Sequence, residues 1–244
     1  DIADLAERAA PGAVTDLSRD GAIFAVQGPD ALRVLRAAGF DDPELERLRY
    51  YRFVAAGFGS VPCLVGRLGY TGESGFEIVV PLAHAAALWS CLSALARPAG
   101  FAAADILRIE AGFVLFANEF RVPVTATEAG VAGFDGVRSD PLPAVALVAF
   151  TAHSATRPVL WQPPPDVRRP GRSGEIAVTS ACWSPAANGI LGLGYVRRDD
   201  TGLGGAPAER LVDPHGNFFD IALAPRPFVD PGKLRPRAPW SRST

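Results

Sequence analysis

No methionine occurs among the 244 residues, not even at position 1, so the chain is expected to be a processed or partial product rather than a primary translation product. Cysteine is scarce: Cys63, Cys91 and Cys182 are far apart and odd in number. That excludes a disulfide framework and fits a reducing compartment such as the cytoplasm. There is no C-x-x-C pair, and His84, His153 and His215 stand apart, so no metal site is expected. Positive charge is not in excess, with 24 Lys and Arg against 26 Asp and Glu. A nucleic-acid surface is therefore not expected. The one local basic cluster, Arg168, Arg169 and Arg172, lies among prolines and reads as a solvated loop. No apolar run approaches the ~20 residues of a membrane span, and the N-terminus is acidic rather than signal-like. No G-x-G-x-x-G opens a helix after a strand, which disfavours a dinucleotide-binding unit. Gly72-Glu73-Ser74-Gly75 is not a nucleophile elbow, and the cysteines sit in apolar segments without a nearby histidine.

What is present is core material: 48% of the residues are apolar. The first half alternates strands and helices. Strands are predicted at 22–27, 50–58, 61–68 and 76–80, and helices at 29–38, 82–96 and 102–110. Pro29 suits a first helical turn and Gly39 stands just past the end. Spacings near 3.6 give the 82–96 helix a predicted buried stripe of Leu82, Ala85, Leu88, Trp89, Leu92 and Leu95. This order predicts an α+β fold, a ferredoxin-like antiparallel sheet with helices on one face. Prolines crowd 141–170, including Pro163-Pro164-Pro165, and predict a linker or long edge loop. Beyond Gly174, short strands are predicted at 175–182, 190–196, 210–212 and 218–223. Turn chemistry separates them at Asn188-Gly189, at Asp199 to Gly202 and at Asp213 to Gly216. That is the pattern of a small β-barrel or sandwich. The expected organisation is a domain over 1–140, a Pro-rich linker over 141–173, a β-barrel domain over 174–232 and a frayed tail over 233–244.

The densest chemistry lies in Gly69-Tyr70-Thr71-Gly72-Glu73-Ser74-Gly75-Phe76-Glu77-Ile78. Flanking apolar strands make it a tight reversal, but three glycines with an aromatic and two carboxylates exceed what a plain hairpin needs. The surplus reads as backbone shaped to approach a ligand, or as a Gly-rich loop with a core Tyr and a solvated Glu. In the exit strand Phe76, Ile78 and Val80 share one face, with Glu77 and Val79 on the other. Asp105 and Arg108 are spaced to pair on one helix face and read as structural, and Glu73 reads as a turn residue.

Six segments in order then carry a resemblance over most of residues 15–230. They are the segment just quoted; Phe24-Ala25-Val26-Gln27-Gly28-Pro29-Asp30-Ala31; Asp105-Ile106-Leu107-Arg108-Ile109-Glu110-Ala111-Gly112; Glu128-Ala129-Gly130; Val178-Thr179-Ser180 with Ser184-Pro185 and Leu193-Gly194-Tyr195-Val196; and Pro227-Phe228. Together they resemble the aminomethyltransferase family, the folate-dependent T-protein of the glycine cleavage system and its relatives. The resemblance implies a tetrahydrofolate-dependent one-carbon transferase. It implies that Glu77 accepts hydrogen bonds from the pterin of a reduced folate and that Tyr70 packs on one of the flat rings. It also implies a lipoyl carrier protein as a partner.

Two departures stand out. Where the family reads A-R-D at the head of its third helix, this chain has Ala103-Ala104-Asp105, so Ala104 supplies no positive charge near the folate. The family's catalytic aspartate lies well upstream of the A-V-Q-G-P turn, and Asp4, Asp16 and Asp20 sit too close to that turn to match it. No catalytic residue is assigned. The chain is expected to lack the family's N-terminal region, which a partner chain would supply if turnover occurs. The alternatives are a non-catalytic folate-binding or scaffold module, or a subunit of a larger one-carbon oxidase or demethylase.

Overall fold

A computed structural model describes residues 2–131, 143–152, 160, 166–198, 211–212, 218–219 and 221–240. The expected turns at Asp199 to Gly202 and Asp213 to Gly216, the Pro163-Pro164-Pro165 run, His153 and His215 lie outside the described residues. The chain divides into two compact units, one of Asp1–Gly69, Glu73–Pro98 and Arg235–Thr244, the other of Tyr70–Gly72 and Ala99–Leu234.

In the first unit a short helix α1 (Ile2–Arg8) precedes strand β1 (Gly21–Gln27), and helices α2 (Ala31–Ala37) and α3 (Glu44–Arg47) follow. Then come β2 (Phe53–Phe58), β3 (Val61–Gly66), β4 (Gly75–Pro81) and α4 (Ala85–Leu95). The four strands form one antiparallel sheet in the order β1-β4-β3-β2. Alternation puts Phe76, Ile78 and Val80 of the central strand at 0% exposure, packed in one core with Leu35, Val65 and Leu88. Helix α2 ends as its glycine predicts. Gly39 takes φ +92°, its N–H donates to the Arg36 carbonyl, and the Phe40 N–H donates to the Leu35 carbonyl. This is the double bond of a Schellman end, closed by contact between fully buried Leu35 and Phe40.

Two local expectations are corrected. The strand predicted to begin at Tyr50 begins at Phe53, because Tyr51 takes φ +62°, a left-handed conformation that an extended run does not accommodate. The predicted stripe of the fourth helix is narrower than its apolar content. Leu88 and Leu92 are buried, while Leu82, Trp89 and Leu95 are 54%, 49% and 37% exposed. A 3₁₀ turn over Leu82–His84 takes Leu82 off the helical period, and Trp89 lies stacked on Phe24 with ring centres 6.1 Å apart.

In the second unit helices α5 (Phe101–Glu110) and α6 (Phe116–Glu119) precede β5 (Val145–Ala152), β6 (Ile176–Ser184) and β7 (Gly189–Arg197). Short strands β8 (Leu211–Val212), β9 (Phe218–Phe219) and β10 (Ile221–Ala224) follow. In the region expected as a small β-barrel, the described strands form a four-stranded antiparallel sheet, β10-β5-β7-β6, beside a two-stranded β8-β9 ribbon. The β6-β7 hairpin turns at Asn188, φ +47°, and Gly189, as the Asn-Gly pair predicts. Its core includes Phe150, Ile176, Val178 and Val196. The fold class is α+β.

Candidate functional site

The segment from Gly69 to Ile78 is shared between the units: Tyr70, Thr71 and Gly72 belong to the second, the remainder to the first. Within the first unit its glycines have a mechanical cause. The Gln27 side-chain amide donates to the carbonyls of Leu68 and Phe76, at 3.2 Å each. A Cβ on Gly69 or on Gly75 would overlap that amide. Two of the three glycines thus make a slot for the glutamine of A-V-Q-G-P, which pins both ends of the β3-β4 connection. Glu73 forms an ion pair with Arg235 at 2.5 Å, and the Ser74 hydroxyl donates to the Arg235 carbonyl at 2.6 Å.

Glu77 sits on β4, on the sheet face away from the core. Across the sheet its register partners are Ala25, a short side chain, and Gly66, over which the Leu68 side chain lies. The same face carries exposed apolar groups: Ile23 at 67%, Phe53 at 69% and Leu64 at 42%. Glu77 is half-buried, and among the described residues its carboxylate has no hydrogen-bond or ion-pair partner. Burial pushes its pKa above the ordinary carboxylate value. Its negative charge also helps to raise Tyr50, whose pKa is pushed up to about 12, chiefly by burial and then by a hydrogen bond with Tyr51. The Arg237 guanidinium stands over the Tyr50 ring, 5.9 Å from its centre. Tyr50 and Arg237 therefore belong to the surroundings of Glu77, and sequence reasoning missed both. The Tyr50-Tyr51 aromatic pair was the available signal for the first.

Tyr70 lies in the second unit. Its ring stacks on Phe113, centres 5.4 Å apart and planes 15° from parallel, and its hydroxyl donates to the Val114 carbonyl. The residue is 39% exposed, and burial pushes its pKa up to about 12. Beneath this stack lies a charged network. Arg108, 1% exposed, donates to Asp105 at 2.5 Å, Glu119 at 3.1 Å, the Phe113 carbonyl at 3.2 Å and the Ser180 hydroxyl at 2.6 Å. Glu119, 0% exposed, also accepts from the Leu115 N–H at 2.5 Å and the Thr179 hydroxyl at 2.9 Å. With that many partners the arginine is saturated, and the pairing of Asp105 with Arg108 is structural as expected. Glu119 was not singled out from the sequence, because nothing local marks it. Thr179 and Ser180 of the V-T-S step serve this network, and Ser184 of the S-P step donates to Glu110 at 2.5 Å.

Both E-A-G steps are chain reversals. Gly112 and Gly130 take φ +68° and +67°, and each follows a Schellman-type pair of bonds. Glu128 exchanges hydrogen bonds with Thr125 in a capping-box pattern and forms an ion pair with Arg169. Burial works against the Glu128 charge, but the Thr125 N–H and the Arg169 guanidinium outweigh it and lower the pKa. Arg169 is thus tied into the fold, not solely a solvated loop residue.

Candidate nucleophiles find no activation. Cys63 and Cys182 are buried, and burial raises both thiols, Cys182 to about 12. Asp4 pairs with Arg8 on the surface at 3.0 Å, and Asp16 accepts the Ser18 N–H at 2.8 Å. The Asp20 carbonyl receives the Leu82 N–H at 2.8 Å. Among the described residues no three His, Cys, Asp or Glu side chains gather as a metal site, and no helix is long and apolar enough to cross a membrane.

Comparison with known proteins places these features. The GCVT N-terminal domain family matches residues 1–136. An aminomethyltransferase of Cutibacterium acnes is 30% identical over 250 residues, covering 93% of this chain and 66% of its own. One of Streptomyces coelicolor is 35% identical over 194 residues, covering 72% and 51%. The crystal structure of glycine cleavage system aminomethyltransferase T from Bartonella henselae superposes with a TM-score of 0.63 at 25% identity, over 86% of this chain and 60% of that one. The chain thus spans about half to two-thirds of the length of these relatives. The family match over more than half the chain, in agreement with the shared fold and the Gln27 and Glu77 segments, shows that the chain belongs to the aminomethyltransferase family of the glycine cleavage T-protein type.

Proposed function

We propose that this chain binds a reduced folate and serves a tetrahydrofolate-dependent one-carbon transfer of the glycine cleavage type. One observation carries the reading: the half-buried carboxylate of Glu77, with no partner among the described residues, stands between Ala25 and Gly66 on an open apolar sheet face. A desolvated carboxylate in that state favours a ligand that brings N–H donors, and a pterin presents an amino group and a ring N–H side by side. The apolar surroundings suit the rest of a flat heterocycle. Tyr70 is the second proposed folate contact, through its ring rather than its hydroxyl, which the Val114 carbonyl already engages. The folate-binding domain is assigned to 1–140.

Tetrahydrofolate supplies the amine that takes up the carbon. In the full reaction an aminomethyl group leaves a lipoyl-bearing carrier as methylene on the folate, with release of ammonia and dihydrolipoyl. For this, positioning and electrostatics suffice, and no covalent enzyme intermediate is required. The inert buried thiols agree with that. Glu77 orients the pterin; no residue of this chain is assigned as the acid that assists the amine, and a partner chain is the proposed source of it. The setting is a reducing, cytoplasmic one. Ala104 favours a second reading, a folate-binding module without turnover, because the helix-head arginine of the family is missing.

Calorimetric titration with 5-formyltetrahydrofolate tests the proposal. Wild type is expected to bind saturably, and Glu77→Gln to bind about ten- to a hundredfold more weakly, the worth of a hydrogen bond to a charged group. Unchanged affinity in the variant removes Glu77 from the site; absence of binding in wild type removes the folate reading.

A further inference from the structure

Two buried donors of the second unit stand without acceptors at one chain reversal. Tyr195 of β7 is 0% exposed, and its hydroxyl has no hydrogen-bond partner. Its register partners, Leu147 and Ala177, offer no polar side chain. Tyr195 packs in one core with Val145 and with Ala129 of the second E-A-G step. The Nη1 of Arg226 is likewise buried and without a partner, and the side chain forms no ion pair among the described residues. Glycines make its place. A Cβ on Gly112 would overlap the Arg226 stem, and a Cβ on Gly130 would stand 2.9 Å from its Nη2. The arginine thus lies across both E-A-G reversals, and its guanidinium ends beside Gly130, the neighbour of Ala129. The carboxylates of this region are committed elsewhere. Glu119 accepts from Arg108, Leu115, Thr179 and Ser180, and Glu128 pairs with Arg169. Burial lowers the Arg226 pKa, and the fields of Tyr195 and Glu119 offset only part of that.

From this we infer that Arg226 and Tyr195 form a binding site for a small free carboxylate, of the size of formate or acetate. A buried donor left without an acceptor costs free energy, and two at one reversal call for a shared acceptor. A guanidinium edge matches the two oxygens of a carboxylate, and the phenol O–H adds a further donor. The complete burial of Tyr195 restricts the occupant to a few atoms. A water also accepts hydrogen bonds, but it brings no charge to a desolvated guanidinium. The inference does not depend on the folate reading, because neither donor is among the proposed folate contacts, Glu77 and Tyr70.

Thermal unfolding of the whole chain in sodium formate, at ionic strength held constant with sodium chloride, tests this. Formate is expected to raise the wild-type midpoint saturably, as a ligand of the native state does. Tyr195→Phe and Arg226→Gln are each expected to weaken the fitted formate affinity about tenfold. Without formate, Tyr195→Phe is expected to be at least as stable as wild type, because it removes an unsatisfied buried hydroxyl. That variant therefore separates binding from folding, even where Arg226→Gln fails to fold. A formate effect that does not saturate, or that is equal in wild type and Tyr195→Phe, overturns the site and leaves a water on the two donors. Phosphate that stabilises as strongly as formate overturns the choice of a small carboxylate. Displacement of formate by 5-formyltetrahydrofolate overturns the claim of a separate site. Absence of folate binding alongside saturable, Tyr195-dependent formate binding keeps the site and ends only the folate reading.

Discussion

At the residue scale the question is why Glu77 bears a cost. Burial raises its pKa, so the folded state holds that proton more tightly than the unfolded chain does. The sign follows from linkage. Stability falls as pH rises from below the ordinary carboxylate pKa through the raised one, and the penalty is complete at neutral pH. Glu77→Gln lacks the penalty. The variant is therefore expected to unfold at higher urea than wild type near neutral pH, with the gap closing at about pH 3.5, where both are uncharged. Equal midpoints near neutrality would show that the carboxylate is not strained by its site. Higher stability together with weaker folate binding would mark Glu77 as a residue held for a ligand. Strand alternation alone put Glu77 on the open face. It could not reveal that Ala25 and Gly66 flank it, because those come from two other strands.

At the element scale, the β3-β4 connection shows how a signature mixes mechanics with chemistry. On sequence its surplus of glycine reads either as room for a ligand or as a plain Gly-rich loop. In the fold, Gly69 and Gly75 make room for Gln27. Gly75→Ala is expected to destabilise the chain by about 1–3 kcal/mol through overpacking, and Gln27→Ala in the same chain to recover part of that loss. Additive losses in thermal unfolding would break the link between the two residues. Helix ends were more legible. Gly39 and Gly112 terminate α2 and α5 in Schellman ends, because only local hydrogen bonds and a left-handed residue are needed. The α4 stripe was less so. Periodicity marks apolar positions but not how much of the helix a sheet covers, and Trp89 ends up stacked on Phe24 at the margin.

At the scale of the whole molecule, residues 235–240 return to the first unit. The tail expected to fray from Lys233 onward is instead docked over residues 235–240. Trp240 stacks on Phe76 with ring centres 5.0 Å apart, and the Arg67 guanidinium lies over the Trp240 ring at 4.7 Å. Pro236 is buried, and Arg67 also donates to the Ala238 carbonyl. Trp240→Ala is expected to lower stability by about 2 kcal/mol, from lost area and lost ring contact. Unfolding followed by denaturant titration would show it, and an unchanged midpoint would mean that the tail is dispensable. The sequence by itself determined the α+β order, the inward face of β4, the Asn188-Gly189 hairpin and the family, because each rests on neighbours in the chain or on ordered motifs. Only the tertiary structure decided the rest. It brought Arg108 to Glu119 and Ser180, 11 and 72 residues away, placed Gln27 in its slot between two glycines, set Trp240 on Phe76 and put Lys233 over Phe113. Those are non-local contacts, and neither a period nor a propensity records which distant partner a buried charge or ring will find.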